Sequence, residues 1–158
     1  MKTAEIDAQD RRILEILQEN ARSSSQEVAD FAVTSPATAW RRQRALEESG
    51  MIRKYSAILD REKLGFAVTA FVHISIERQN PKAIAEVEEK IRSRPEVLEC
   101  YATTGEDDFT LRVIARDIAA YDRFVQTFLN ELAGIGRVRS SIALREIKYT
   151  TDLPLKVE

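Results

Sequence analysis

The chain has 158 residues, of which 44% are hydrophobic and 32% charged, and its formal net charge at pH 7 is −2. This composition is ordinary for a globular protein, and no apolar run is typical of a membrane span or a signal-peptide core. The single cysteine, Cys100, excludes an intramolecular disulfide and a cysteine-rich metal site. We therefore expect a cytoplasmic protein without a metal or other resident cofactor.

The first 52 residues show only helical periodicity. Asp7 is a suitable N-cap for a first helix whose apolar stripe includes Ile13 and Leu17. Ser24 and Glu27 have the spacing of a capping box, which predicts the start of a short second helix.

A third helix is predicted from Ser35-Pro36, a hydroxyl cap followed by proline, to Glu48 or Ser49, with Gly50 as its stop. One face, expected to pack on the first two helices, has Pro36, Ala39, Trp40, Leu46 and Gly50. The other has Ala37, Thr38, Arg41, Arg44 and Ala45, with Arg42 at its border. Small residues and arginines near a helix N-terminus suit the major groove of DNA, although charge alone leaves open a solvated basic face.

Strand periodicity begins in the second half. The predicted elements are a strand at 66–76, a helix from Pro81 to before Pro95, strands at 97–104 and 109–115, a helix capped by Asp117 with an apolar stripe from Tyr121 through Leu129 to Leu132, and a strand at about 138–148. This β-α-β-β-α-β order predicts a ferredoxin-like sandwich with both helices on one sheet face. The fold class is therefore α+β, with a helical domain at 1–54, an extended connector at 55–64 and the sandwich at 65–158.

The helical half resembles the leucine-responsive/asparagine regulator (Lrp/AsnC, or feast/famine) family of transcription regulators. The resembling residues are Ile6-Asp7, Asp10 to Leu14, Asn20-Ala21-Arg22, Val28-Ala29, Ser35-Pro36, Thr38, Trp40-Arg41-Arg42, Leu46-Glu47, Gly50 and Ile52. The resemblance implies a winged helix-turn-helix in which the third helix is the recognition helix. We expect DNA contacts from Ser35, Pro36, Ala37, Thr38, Arg41, Arg42, Arg44, Arg53 and Lys54.

Two residues depart from the family pattern. Val33 stands near the turn position that usually has glycine, and a β-branched residue strongly resists positive φ. We expect either a different turn shape or a strain of about 1–3 kcal/mol there. Gln43 occupies a position where an apolar side chain would face the core, so both departures concern local stability more than DNA binding.

The segment from Thr103 to Val113 resembles the family's C-terminal signature, a strand-turn-strand with the pattern G-x-x-D-[YF]. By itself a Gly-Glu-Asp-Asp turn is more often only a turn. The resemblance implies an amino-acid effector site near this loop and the last strand, where Asp108 can accept an ammonium group and loop N–H groups or serines can hold a carboxylate. The expected effector-binding residues are Thr104, Gly105, Glu106, Asp107, Asp108, Ile118, Ser140, Ser141 and Ile142.

The resemblance also implies an assembly. In the family the regulatory domains pair through their sheets, dimers gather into octamers or similar rings, and effectors bind between dimers. We thus expect a homodimer that forms a higher oligomer, on double-stranded DNA and associated with the nucleoid when bound. The tail from Ile147 to Pro154 resembles a subgroup that responds to various amino acids, sulfur-containing ones among them.

Other conspicuous residues have simpler interpretations. His73 lies in a predicted strand without a nearby Asp, Cys or second His, which favours a structural histidine. Cys100 is predicted to be a buried or interface thiol, and Trp40 a packing anchor of the recognition helix. No nucleophile–base pair, phosphate loop or metal spacing indicates an enzyme. A chromatin-organising protein with little sequence preference and no effector is the other alternative.

Overall fold

A computed structural model of the protein describes residues 6–77, 81–128, 132 and 134–155, excepting the side chains of residues 81–83. The chain forms two compact units. The helical unit is the described part of Met1–Ile58 and of Lys148–Glu158, and the sheet unit is the described part of Leu59–Ile147. This division differs from the expected domains, because the break falls inside the connector and the tail joins the helical unit.

The helical unit has three helices, α1 (Ala8–Glu19), α2 (Ser25–Ala32) and α3 (Pro36–Glu48). Their starts confirm the predicted caps, since the side chains of Asp7, Ser24 and Ser35 each accept a backbone N–H bond at a helix start. Ser24 forms the complete capping box with Glu27. Gly50, at φ +76°, follows the end of α3 in the left-handed conformation that only glycine adopts without cost.

The described core of this unit combines three alanines with four larger aliphatic side chains. Its buried residues are Ile13, Leu17, Val28, Ala29, Ala32, Ala39 and Leu46. The alanines on α2 and α3 let the two backbones approach closely, so the interior is filled without an aromatic ring.

The tail is attached to α1 by a reciprocal pair of hydrogen bonds. The backbone N–H of Leu153 donates to Oε1 of Gln18 at 2.7 Å, and Nε2 of Gln18 donates to the carbonyl of Leu153 at 3.2 Å. These bonds give a physical reason for the altered domain boundary, because they hold the chain's end to a helix that is 135 residues distant in sequence.

The sheet unit has the elements β1 (Val68–Ile76), α4 (Pro81–Arg92), β2 (Val97–Ala102), β3 (Phe109–Ala115), α5 (Ile118–Phe128) and β4 (Ile135–Ile142). The strand order is β2-β3-β1-β4, and all three pairings are antiparallel. Each β-α-β connection therefore skips over one strand, which confirms the predicted split arrangement.

Four ends of three strands differ from prediction, most of all in the last strand. β4 begins three residues earlier than expected and ends at Ile142, because its ladder with β1 extends only from Ile76 to Ala70. The final backbone bond, from Ala143 to Thr69, closes the ladder before the chain leaves the sheet. β1 and β2 are two residues shorter than predicted at their start and end respectively. Leu132 is buried outside α5, and Leu129 lies outside the described residues.

The two faces of the sheet differ in whether helices pack on them. Alternate residues of β1 and β3, such as Val72 and Leu111, are fully buried in the core that α4 and α5 complete. The intervening residues point to the opposite face, where Phe71 and Tyr101 remain 40% and 59% exposed. We call this second side the open face. It keeps aromatic surface in contact with solvent.

Candidate functional site

The exposed side of α3 consists of residues spaced three and four apart. Ala37, Trp40, Arg41, Arg44 and Ala45 are all exposed, whereas Ala39 and Leu46 are buried. The predicted basic face is thus present. Trp40, however, was predicted as a packing anchor and is 57% exposed. Its position is 100° around the helix from Ala39, so Trp40 lies away from the side of α3 on which Ala39 and Leu46 are buried.

The first turn of α3 is organised by two hydroxyl groups. Oγ of Ser35 accepts the backbone N–H of Thr38 at 3.3 Å and donates to Oγ1 of Thr38 at 2.9 Å. Pro36 and Ala37 are exposed beside them, so phosphate or base edges can reach the positive end of the helix dipole. Arg53 and Lys54 are exposed in the irregular chain beyond α3.

Arg42 does not belong to this face. Its Nη1 donates to Oδ1 of Asp10 at 2.8 Å and to Oδ2 of Asp7 at 2.7 Å, which ties α3 to the start of α1. The hydrogen bonds with Asp10 and Asp7 raise the pKa of Arg42 above its ordinary value. The expectation of a DNA contact from Arg42 is therefore corrected: its guanidinium is occupied by carboxylates that would repel phosphate.

Val33 adopts the left-handed conformation, with φ 54° and ψ 57°, at the end of α2. It is the one non-glycine residue with positive φ in the described part of the chain. The turn therefore keeps the shape that glycine would favour, and of the two expected outcomes the strained one is found.

Gln43 is satisfied by polar partners instead of core packing. Its Nε2 donates to Oη of Tyr55 at 2.9 Å, and Tyr55 donates to Glu47 at 2.8 Å. Burial, together with the Glu47 carboxylate, raises the pKa of Tyr55. Gln43, which departs from the family pattern, thus links Tyr55 at the start of the connector to α3.

In the sheet unit, the loop between β2 and β3 is closed by its own hydrogen bonds. The N–H of Thr103 donates to the carbonyl of Asp108 at 2.9 Å, and Gly105 has φ +125°. The Oδ2 of Asp108 accepts the N–H of Ile76 at 2.7 Å, so this carboxylate caps the end of β1. Its remaining lone pairs are the ones available to a ligand.

Asp107 is the centre of a charged cluster at the edge of the open face. Arg139 donates to its carboxylate, Ser75 donates at 3.1 Å, and Arg137 lies 3.6 Å away. Burial alone would raise the pKa of Asp107, but the hydrogen bonds from Arg139 and Ser75 and the positive charges lower it below its ordinary value. His73 was expected to have no aspartate nearby, yet its Nδ1 is 3.8 Å from Oδ2 of Asp107. His73 and Asp107 are 34 positions apart in sequence, and the pairing of β1 with β3 brings them together.

Most of the predicted effector residues fall at two places along the sheet, and Ser140 and Ser141 lie between them, opposite Val72 and Phe71. Thr104 to Asp108, including the exposed Glu106, lie at the Ile74 end of β1, because Ile74 pairs with both Phe109 and Val138. Ile142 pairs with Ala70, and exposed Ile118 follows β3 at the Val68 end. Four to six residues at about 3.3 Å each put about 13–20 Å between the two groups.

The serines of β4 do not act as a pair. Ser140 lies on the helix-covered side and accepts a 2.6 Å hydrogen bond from Oη of Tyr121, whereas Ser141 points to the open face. Joint binding of one carboxylate by both is therefore ruled out by the alternation of the strand. Cys100 is exposed on β2, so the expectation of a buried thiol is wrong, whereas the alternative of an interface thiol stays a prediction.

Sequence reasoning missed Trp40 on the α3 face and the arginines around Asp107. The period-two spacing of Arg137 and Arg139 could have indicated a shared strand face. Within the described ranges there is no group of three or more His, Cys, Asp or Glu residues placed to hold a metal. No helix in the described part is long and apolar enough to cross a membrane.

Comparison with known proteins matches both units. Residues 6–53 match the winged helix-turn-helix DNA-binding profile, and residues 69–153 match the Lrp/AsnC ligand-binding domain. The Bkd operon transcriptional regulator of Pseudomonas aeruginosa is 36% identical over 96% of this chain and 99% of its own length. The activator DecR of Escherichia coli is 34% identical over 96% of this chain and 99% of its own.

Two solved structures resemble this chain over nearly its whole length. A Neisseria meningitidis transcriptional regulator in complex with L-Met is 38% identical, with a TM-score of 0.90 over 96% of this chain and 97% of its own. An AsnC family regulator of Agrobacterium tumefaciens is 39% identical, with a TM-score of 0.91 over 95% of this chain and 97% of its own. The two matched domains and these full-length relatives establish that this chain is a transcriptional regulator of the Lrp/AsnC family, with a DNA-binding helix-turn-helix and a ligand-binding domain.

Proposed function

We propose that the chain regulates genes of amino-acid metabolism by sequence-specific DNA binding, and that a small amino acid modulates this binding. The observation that carries the proposal is the exposed face of α3, on which Arg41 and Arg44 lie beside Ala37. The neighbouring Arg42 is instead paired with two carboxylates of the start of α1. The DNA-binding set is then Ser35, Pro36, Ala37, Thr38, Arg41, Arg44, Arg53 and Lys54. The protein acts in the cytoplasm, on the nucleoid when bound to DNA, without catalysis or a resident cofactor.

The effector site is proposed to lie between subunits. Along one sheet the Gly105–Asp108 loop is about 13–20 Å from the two residues Ile118 and Ile142, which is farther than one amino acid can span. A loop of one subunit facing β4 of another would bring both groups to the same ligand. The L-Met bound by the Neisseria regulator supports an amino acid as the effector class.

The open face is proposed as the dimer interface, with dimers assembling into an octamer. It has exposed aromatic side chains at Phe71 and Tyr101, and in the described residues α4 and α5 pack on the other face. Apolar surface of this kind is typical of a face that another chain covers. Effector binding between dimers would change their packing and so the spacing of the α3 pairs on DNA, with a coupling free energy of about 1–3 kcal/mol.

A thermal-shift screen of the full-length protein against the twenty amino acids tests the effector proposal. We expect one or a few amino acids to raise the melting temperature, because a ligand that binds only the folded state stabilises it. Asp108→Ala, compared with Cys100→Ala as an exposed control in the same sheet, should weaken that response. A shift that survives Asp108→Ala would contradict this placement, and a flat affinity across DNA sequences would favour the chromatin-organising alternative.

A further inference from the structure

Trp40 is an exposed aromatic residue within a basic surface. Its exposed fraction is 57%, and Ala37, Arg41 and Arg44 lie one turn before, beside and one turn after it on the same side of α3. The core of the helical unit is complete without its ring, as Ala39 and Leu46 occupy the inward positions. Fold stability therefore gives no reason for an indole at this position.

The indole has a charged neighbour on its own helix. The guanidinium carbon of Arg44 lies 5.8 Å from the ring centroid, and Nη2 of Arg44 is 3.6 Å from Oε1 of Glu48. The arginine thus lies between the ring and a carboxylate, and both contacts are weak enough for the guanidinium to turn to a ligand. An apolar ring beside a guanidinium is suited to contacting adjacent base pairs.

We propose that Trp40 reads DNA sequence by contact with the C5 methyl group of thymine, within two base pairs of a guanine contacted by Arg44. In the major groove the thymine methyl is the apolar group on a base edge, and arginine pairs with O6 and N7 of guanine. The Cβ atoms of Trp40 and Arg44 are four residues apart, about 5–6 Å, which corresponds to one or two base steps of 3.4 Å. The positive charge of Arg41 and Arg44 favours DNA as the occupant of this surface over an uncharged protein partner.

Trp40 is the single tryptophan of the chain, so its fluorescence reports on this contact directly. The probe is a duplex of about two helical turns, selected from a random pool by the full-length protein. We expect saturating duplex to shift the emission to shorter wavelength and to reduce quenching by acrylamide several-fold. Emission and quenching that stay unchanged at saturation would overturn the proposal.

Replacement of single thymines by uracil, which removes only the methyl group, tests the base contact. We expect wild-type affinity to fall about fourfold at one thymine in each half-site, the factor for one buried methyl. Trp40→Ala should bind the unmodified duplex more weakly and lose sensitivity to that replacement, whereas Trp40→Leu should retain part of it. Leu144→Ala, at a 99% exposed residue of the sheet unit, is the matched control and should leave the uracil profile unchanged.

The inference rests on the proposed sequence-specific DNA binding, and the selection separates the two. If the wild-type protein enriches no sequence, the proposed function fails and this proposal fails with it. If wild-type and Trp40→Ala proteins enrich the same sequence and show the same uracil profile, only the role of Trp40 is overturned. Far-ultraviolet circular dichroism of each variant verifies that the helical unit is folded.

Discussion

In the helical unit Arg41 and Arg44 extend from an exposed helix face, whereas in the sheet unit Arg139 is closed onto the carboxylate of Asp107. In the first arrangement Arg44 has only a solvent-exposed 3.6 Å contact with Glu48 on its own helix, so its charge remains accessible to DNA. In the second, the charges of the signature loop are already paired within the chain. In the proposed assembly, the DNA-binding surface is therefore complete in each subunit, whereas the ligand-binding loop needs groups from a neighbouring subunit.

The largest expected effect is a loss of DNA affinity that distinguishes Arg41 and Arg44 from Arg42. Replacement of both Arg41 and Arg44 by alanine should weaken binding to a selected duplex by about 1–3 kcal/mol per base-contacting arginine. Arg42→Ala should change DNA affinity little and lower the free energy of unfolding by about 0.2–1 kcal/mol, since its ion pairs are partly exposed. Fluorescence anisotropy at fixed salt measures the affinities. Equal losses of DNA affinity in Arg42→Ala and in the double variant would contradict this prediction.

Val33→Gly should make the helical unit more stable. Relief of about 1–3 kcal/mol of backbone strain exceeds the extra chain entropy of glycine, about 0.5–1 kcal/mol, and little packing is lost because Val33 is 71% exposed. Urea unfolding followed by Trp40 fluorescence reports on this unit. Val33→Ala, which removes β-branching but keeps a Cβ, should gain less; a loss of stability in Val33→Gly would contradict the strain argument.

Release of the tail should have a smaller effect. Gln18→Ala removes both bonds to Leu153, and the net contribution of such bonds is about 0.5–1.5 kcal/mol each. Faster hydrogen exchange at the Leu153 amide is the expected result. Gln26→Ala, which loses only a bond to Asp30 on its own helix, is the matched control and should leave that amide's exchange rate unchanged.

The pH dependence of the Asp107 cluster should be the smallest effect. Because the pKa of Asp107 is lowered in the folded protein, its contribution to stability is present above its ordinary pKa of 3.8 and is lost as pH falls through the folded value. Asp107→Asn should therefore destabilise the sheet unit at neutral pH and less so in strong acid. Melting temperatures of both proteins across the acidic range measure this difference. A constant difference at all pH values would show that ionisation of Asp107 does not matter.

Local rules predicted much of this molecule. The caps at Asp7, Ser24 and Ser35 were readable because each depends on backbone groups within three residues. The chain order of helices and strands was readable from the change between helical and period-two spacing, and that order indicated the split β-α-β arrangement. The bounds of β4 were not readable in this way, since they depend on how much of β1 was free to pair.

What the sequence by itself determined is the set of helices and strands, the basic face of α3 and the family signature at Gly105–Asp108. Only the tertiary structure decided which of those charges remain available. Asp7 and Asp10 reach Arg42 across more than thirty residues, and β4 brings Arg139 to Asp107, so both arginines are satisfied by partners that no local pattern indicates. Trp40 is exposed for the related reason that packing selects which helix side is buried, and on α3 the buried positions are Ala39 and Leu46.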